Sequence, residues 1–304
     1  MHSMQPYCSK LVHCHNMQSS WQQTFRILAN AGIESSEQEA RLLLQHVTNQ
    51  SLTELMCNLR RPLSADELAQ LQVCITRRLR GEPLQYILGY VHFYGREFMV
   101  DSRALIPRPE SELLIDMARS LPAQELTDGG NPLLADVGTG SGVIAVSLAY
   151  EFPNAWVLAL DVSREALMVA RRNIQRHSVS HRVDLVQGDL LNAIGMKCDI
   201  IIANLPYVCT ADLPHLSREI ACFEPQNALD GGVDGLSLIS RLYMQAPGVL
   251  KPGGWLILEV GESQAATVVY SLSQDSRWES MTATADFRDI KRVVAARLVR
   301  TTLQ

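Results

Sequence analysis

Leu133-Leu134-Ala135-Asp136-Val137-Gly138-Thr139-Gly140-Ser141-Gly142 runs directly into Val143-Ile144-Ala145-Val146-Ser147-Leu148-Ala149. The succession reads as an apolar strand, a glycine-rich turn and an apolar helix, the opening of a nucleotide-binding βαβ unit. A dinucleotide fingerprint needs a further glycine where this chain has Val143. The tighter G-x-G-x-G spacing suits a backbone passing close to a small ligand, rather than one that seats a pyrophosphate on a helix N-terminus. By itself the loop has an ordinary tight turn as its alternative, so its neighbours decide.

Downstream, the apolar run Ala155 to Leu160 ends in Asp161, whose carboxylate can accept both hydroxyls of a ribose; capping of the helix that begins near Ser163 is the competing reading. A third run, Val183 to Gln187, leads to Gly188-Asp189, where the carboxylate would lie near an adenine edge. A fourth, Cys198 to Ala203, opens into Asn204-Leu205-Pro206-Tyr207. In one parallel sheet these four ends share a carboxyl edge, the place where open α/β folds bind ligands, and together they fit S-adenosyl-L-methionine (SAM). In the tetrapeptide Asn204 offers a carbonyl acceptor, Pro206 fixes φ and removes a donor, and Tyr207 supplies a flat wall. An NH2 group that gives its hydrogens to Asn204 and a nearby backbone carbonyl keeps its lone pair out of plane, free to attack a methyl carbon. For these four residues alone, a proline-stopped strand and a plain turn is the alternative.

At 304 residues the chain exceeds one ordinary domain, and its 47% hydrophobic content can fill a sizeable core without any apolar run of membrane-spanning length. The formal net charge of −5 and 6% aromatics argue against a protein that holds nucleic acid by neutralising phosphates. Local arginines (Arg60-Arg61, Arg77-Arg78-Arg80, Arg171-Arg172-Arg176) read as solvated helix faces. Seven cysteines with no C-x-x-C pair read as reduced thiols, and no metal site is expected.

The expected organisation is a poorly ordered extension over 1–19, a helical bundle over 20–82, a β-hairpin linker over 83–104 and an α/β domain over 105–304. Ser64 with Glu67 forms a capping box in the bundle. Gly81-Glu82-Pro83 breaks the helical pattern, and the aromatic, alternating stretch Tyr86 to Val100 suits a hairpin. After the helical segment Glu112 to Ser120 come the four runs above and then Gly254 to Val260 and Val293 to Leu298, within a sheet of about seven strands.

The chain resembles the SAM-dependent protein-glutamine methyltransferases that modify peptide-chain release factors. The resemblance rests on Gly81-Glu82-Pro83-Leu84-Gln85-Tyr86-Ile87-Leu88-Gly89, Phe93-Tyr94-Gly95, Leu105-Ile106-Pro107-Arg108-Pro109-Glu110-Ser111-Glu112, the glycine loop and the Asn-Leu-Pro-Tyr tetrapeptide, in that order. It implies a Rossmann-like methyltransferase domain, with a seven-stranded, mostly parallel sheet whose final strand is antiparallel, behind a small N-terminal helical bundle that reads the protein substrate. Carried over by position, it places Gly138, Thr139, Gly140, Ser141 and Gly142 at the methionine end of SAM, Asp161 at the ribose and Asp189 or Leu190 at the adenine. Asn204, Leu205, Pro206 and Tyr207 would hold the glutamine of a Gly-Gly-Gln motif, with Asn204 and Tyr207 as the catalytic pair and Asn204 also beside the cofactor. The implied product is S-adenosyl-L-homocysteine, and the implied partner a class I release factor met by a cytoplasmic monomer that binds neither membrane nor specific nucleic acid.

Two departures from the family pattern stand out. Leu205 replaces the usual first proline of Asn-Pro-Pro-Tyr, and Asp289 occupies a position often held by glycine. Since the contact expected at 205 is a backbone carbonyl, leucine still provides it. Three other readings compete: a methyltransferase acting on the N6 amino group of adenine, a glutamine methyltransferase for a ribosomal protein, and a SAM-binding protein without activity. An exocyclic NH2 suits the same tetrapeptide, but the acidic balance and the Glu82 to Gly89 connector count against a base as substrate.

Overall fold

Asn16, Ser51 and Ser64 each start a helix by turning a side-chain oxygen onto an orphan backbone N–H. At Ser64 the box closes both ways: its hydroxyl accepts from Glu67 N at 3.1 Å, and the Glu67 carboxylate accepts from Ser64 N at 2.7 Å. In the computed structural model, which describes residues 16–121 and 131–300, five helices make up a first unit that ends at Gly89. They are α1 (Met17–Asn30), α2 (Ser36–Thr48), α3 (Leu52–Cys57), α4 (Ala65–Leu79) and α5 (Leu84–Leu88). Their apolar stripes bury Leu28, Leu43, Leu44, Leu55, Leu71 and Ile75.

Three expectations for this region need correction. Helix α1 already begins at Met17, inside the expected extension, while residues 1–15 lie outside the described residues. The arginine run is not a uniformly solvated face: Arg78 is buried and donates to Glu39 through Nε at 2.6 Å and Nη2 at 3.1 Å. A guanidinium can sit there because the fork is matched by a carboxylate that also accepts from Ser35 Oγ at 3.0 Å. The segment 83–104, expected to be a β-hairpin linker, is divided between the two units. Its first part is α5, stopped by Gly89 in the left-handed region, and its second part is a hairpin packed into the second unit.

That hairpin pairs β1 (Tyr90–Phe93) with β2 (Arg96–Met99). Its aromatic alternation turns Phe93 and Phe98 into the core. Asn173 takes both backbone groups of Met99, accepting from N at 2.8 Å and donating to O at 2.9 Å.

The central sheet contains β3 (Leu133–Val137), β4 (Trp156–Asp161), β5 (Val183–Gln187), β6 (Cys198–Ala203), β7 (Leu250–Glu259), β8 (Trp278–Ala285) and β9 (Lys291–Leu298), in the order β5-β4-β3-β6-β7-β9-β8. The first five in that order are parallel, and β9 runs antiparallel to both of its neighbours. Alternate residues face opposite layers. Ile200 and Ile202 join α6 (Glu112–Ser120) and α7 (Val143–Glu151) on one side. Ile201 and Ala203 join α10 (Ser237–Val249) and α11 (Ala265–Ser273) on the other. Helix α8 (Arg164–Arg176) flanks β4 and β5, and the short α9 (Arg218–Phe223) lies in the connection between β6 and α10. With both faces covered, every residue of β6 is buried, which explains an apolar run interrupted only at Asp199, whose carboxylate accepts from Leu133 N and Lys251 Nζ. No run in the sequence marked out β8, whose half-exposed pattern mixes Ser and Thr among apolar residues. The turn before β9 places Asp289 at φ 62°, in the left-handed backbone region that favours glycine.

One buried carboxyl ties the first strand to the glycine loop. Asp136 Oδ2 accepts from Thr139 Oγ1 at 2.6 Å and from Ala145 N at 3.0 Å, joining β3, the loop and α7. Burial pushes its pKa up to about 7, against the two hydrogen bonds that favour the anion. An unfolded aspartate ionises near 4. Between about pH 4 and 7 the native state therefore keeps a proton that the unfolded chain has lost, and this group's contribution to stability falls as pH rises through that window. Glu259, pushed up to about 7 by burial, acts in the same direction.

Two outcomes follow for stability. Arg78→Met, which leaves the Glu39 carboxylate buried without its guanidinium, should destabilise the helical unit by roughly 3–5 kcal/mol in denaturant unfolding followed by circular dichroism; a loss under about 1 kcal/mol would contradict the buried pairing. In Asp136→Asn the decline in melting temperature from pH 4.5 to 7 should become shallower than in the wild type, the remainder coming from Glu259. An unchanged slope would show that Asp136 ionises normally in the folded protein.

Candidate active site

Val137 is paired with Leu160 on one side and with Ala203 on the other, so the residues that follow, Gly138, Asp161 and Asn204, leave the sheet side by side. Leu258 is paired with Ala203, which puts Glu259 next in the row. Because β4 and β5 lie to one side of β3 and β6 and β7 to the other, this edge is a topological switch point, where the diverging connections open a crevice.

Gly138, Gly140, Asp161, Asp189, Leu190 and Asn204 line one cavity in that crevice, together with apolar Leu105, Ala166 and Leu238. Asp161 is braced rather than free: Oδ2 accepts from Gly140 N at 2.9 Å and Oδ1 from Ser163 N at 2.8 Å. Ser163 itself caps α8 by accepting from Ala166 N at 3.2 Å. Burial raises the Asp161 pKa, and the backbone N–H groups of Ser163, Gly140 and Val162 pull it back. Asp189 stands exposed and paired with Arg241 at 2.5 Å, whereas Leu190 is buried with φ 53°, a strained conformation for a leucine.

The other three loop residues expected at the ligand do not line the cavity. Thr139 points back to Asp136, and Ser141, also buried, gives its carbonyl to Asn173 Nδ2 at 2.8 Å. Gly142 lies against α8, where a Cβ would come within 3.1 Å of Ala170. They shape and anchor the turn that Gly138 and Gly140 present.

Asn204, Leu205 and Pro206 also line a second cavity, shared with Tyr207, Ile220 and Leu229, so the tetrapeptide is a wall between two recesses. Asn204 Nδ2 donates to Ser111 Oγ at 2.9 Å. Among the described residues no donor reaches Asn204 Oδ1 or the Leu205 carbonyl. The Tyr207 carbonyl accepts from Gln264 Nε2 at 2.9 Å, while burial and the charge of Glu259 push its phenol up to about 12.

Ser111, Glu224, Glu259 and Gln264 are parts of the site for which sequence reasoning proposed no role. Glu224 is buried and accepts from Ile106 N at 3.2 Å and from Arg108 Nη2 at 2.5 Å, pinning the segment that carries Ser111. Of the four, Glu259 had a signal, a carboxylate at the end of the apolar run Leu256-Ile257-Leu258. Among the described residues there is no group of His, Cys, Asp and Glu suited to a metal ion, and no helix long and apolar enough to cross a membrane.

Comparison with known proteins gives a consistent result. Residues 20–89 match the PrmC N-terminal domain and residues 111–220 the methyltransferase small domain. The chain is 39% identical over 283 residues to the release factor glutamine methyltransferase of Koribacter versatilis, covering 92% of this chain and 98% of that one. With the enzyme of the same description from Geobacter sulfurreducens it shares 39% identity over 273 residues, covering 89% and 93%. It is 37% identical over 258 residues to a bifunctional methyltransferase of Rickettsia typhi, of which it spans 49%.

Proposed function

As the chain belongs to the release factor glutamine methyltransferase family, we propose that it methylates the side-chain amide nitrogen, N5, of the glutamine in the Gly-Gly-Gln motif of a class I release factor, with SAM as donor. The carrying observation is the wall between the two cavities: Asn204 Oδ1 and the Leu205 carbonyl are acceptors unclaimed by the described residues, spaced by one residue along the chain.

The first cavity fits SAM. A Cβ at Gly138 would lie 3.0 Å from Leu205 Cδ2 and 3.3 Å from Asn204 O, filling the gap between loop and tetrapeptide. Gly138 and Gly140 would border the methionine end, Asp161 would accept from the ribose hydroxyls, and Leu190 would line the adenine, with Asp189 at its rim. When bound, SAM supplies a methyl group on a positively charged sulfur that is already a good leaving group.

The chain's contribution is placement and charge stabilisation. An amide nitrogen is a poor nucleophile because its lone pair is delocalised into the carbonyl. Asn204 Oδ1 and the Leu205 carbonyl, each accepting one N–H, hold the nitrogen and favour its pyramidal form. They also disperse the positive charge that develops on it, a stabilisation larger in the transition state than in the ground state. Tyr207, held by Gln264 through its backbone, packs beside the amide and excludes water.

The direct test is incubation of the purified protein with labelled SAM and, separately, a release factor, a ribosomal protein fraction and DNA. Label on the glutamine of the release factor is expected, and label confined to either of the other substrates would overturn the reading. Asn204→Ala should lower single-turnover methyl transfer on the order of 10²–10³-fold while leaving SAM affinity nearly unchanged. Near-normal rates in that variant would reduce the tetrapeptide to a turn. Asp161→Ala should weaken SAM binding measured by calorimetry, by about 1.5–3 kcal/mol. No described residue accepts the Leu205 N–H, so Leu205→Pro removes no hydrogen bond and should keep activity.

A further inference from the structure

A further recess at the sheet edge is bounded by Arg108, Glu110, Tyr207, Glu259 and Arg292. It shares Arg108 and Tyr207 with the second cavity and no lining residue with the first, so it adjoins the side assigned to the substrate rather than the SAM side. Three of its four charged side chains have partners that do not line it. Arg108 Nη2 donates to Glu224 at 2.5 Å, Arg292 Nε to Asp286 Oδ2 at 3.2 Å, and Glu110 accepts from Arg288 Nη2 at 3.4 Å. Asp286 is itself fixed, accepting from Arg288 N at 2.8 Å and from Ile290 N at 3.0 Å. Glu259 is the exception: it is 2% exposed, and its Oε2 has no partner among the described residues. A buried carboxyl oxygen without a donor is unfavourable, so one that borders a recess calls for a donor from outside the chain.

That donor has to come from the segment that carries the substrate glutamine, because Tyr207 and Arg108 are a wall common to the recess and to the cavity that takes the glutamine side chain. It also has to reach a nearly inaccessible atom. A main-chain N–H does so only where no side chain holds the backbone off, which is the property of glycine. We propose that this recess is the subsite for the glycine main chain next to the substrate glutamine, with Glu259 Oε2 accepting the N–H of the glycine that precedes it. The inference rests on the substrate assigned above. Recognition of the motif is then divided: Asn204 and Leu205 take the side-chain amide, and Glu259 takes the main chain. Glycine becomes a requirement of the enzyme, since a Cβ would meet the recess walls before the N–H reached Glu259. The contact is made equally in the ground state and the transition state, so its loss is read in KM. In the free enzyme the same carboxyl is a burden, and an apolar side chain of similar length should fold at least as well.

The test measures kcat and KM for a release factor at saturating SAM, SAM affinity by calorimetry and melting temperature. The proteins are the wild type, Glu259→Met, which removes the acceptor and keeps the volume, and Glu259→Ala, which also makes room. Each is assayed with the native release factor and with one whose glycine before the glutamine is replaced by alanine. With the native substrate both variants should raise KM on the order of tenfold, with kcat and SAM affinity nearly unchanged, and Glu259→Met should melt no lower than the wild type. The alanine-bearing substrate should raise KM in the wild type. That penalty should shrink in both variants, most in Glu259→Ala, whose vacated space admits the Cβ; such non-additivity marks direct contact rather than a structural role. A wild-type KM for the native substrate in Glu259→Met, or an alanine penalty as large in the variants as in the wild type, would overturn the inference while leaving the methyltransferase reading in place. Failure of Glu259→Met to fold would make the carboxyl structural and overturn it as well. Should only Glu259→Ala fail to fold, Glu259→Met decides. A wild type that never methylates the release factor would overturn both.

Discussion

Strand register is the constraint on which the rest depends. Val137 is held between Leu160 and Ala203, and Ala203 between Val137 and Leu258, so a slip of one residue in any of these pairings would displace a site residue from the edge and turn its strand's apolar side chains to the wrong layer. The two packed layers forbid that slip, because Ile200 and Ile202 belong to one core and Ile201 and Ala203 to the other. Core packing thus fixes the lateral order Asp161, Gly138, Asn204, Glu259 before any ligand is considered. The hydrophobic effect does the placing, and the polar contacts then only refine it.

Refinement is concentrated on the tetrapeptide, three of whose residues are held by different elements. Ser111 takes the Asn204 amide, Gly138 accepts the close approach of Leu205, and Gln264 holds the Tyr207 carbonyl while also accepting from Gly261 N at 2.8 Å. At Gly235 a side chain is impossible, since a Cβ would stand 2.3 Å from Tyr207 O. Two carboxyls at the same sheet edge, Asp136 and Glu259, are buried, and both are displaced toward neutrality by that burial. Such groups are unfavourable for stability near neutral pH, and they persist where they organise chemistry.

The parts of the site legible in the sequence were those with a local signature. A glycine turn after a strand, a carboxylate after the next and Asn-Leu-Pro-Tyr after β6 can all be read within a few residues, as can the Ser64 capping box. What escaped depends on contacts across long separations. Ser111 and Asn204 are 93 positions apart, Arg78 and Glu39 are 39 apart, and neither pairing leaves a pattern in the chain. Arg78 was therefore indistinguishable from its solvated neighbours. The resemblance places Thr139, Ser141 and Gly142 at the ligand beside Gly138 and Gly140; a turn this tight points successive residues in different directions, and only the two glycines line the cavity. The hairpin illustrates the same limit: its alternation marked β1 and β2, but only packing of Phe93 and Phe98 shows that it is part of the core rather than a connector.

On the proposed role of Asn204 and Leu205, acceptors fixed in the wall between the cavities have a chemical reason. A nucleophile as weak as an amide nitrogen gains little from a general base, because loss of a proton before attack is unfavourable and loss afterwards is easy. Gain must come from acceptors already in position when charge develops, since acceptors that have to reorient return much of the benefit as reorganisation. A backbone carbonyl cannot swap its acceptor for a donor, so the Leu205 acceptor is fixed once the chain is packed. A side-chain amide can, by rotating half a turn, and Asn204 is therefore the one member of the wall whose chemistry depends on an outside partner. Ser111 supplies that partner from another element. The one reversible acceptor in this wall is the symmetric-looking amide, and it is there that the fold has committed a buried hydroxyl.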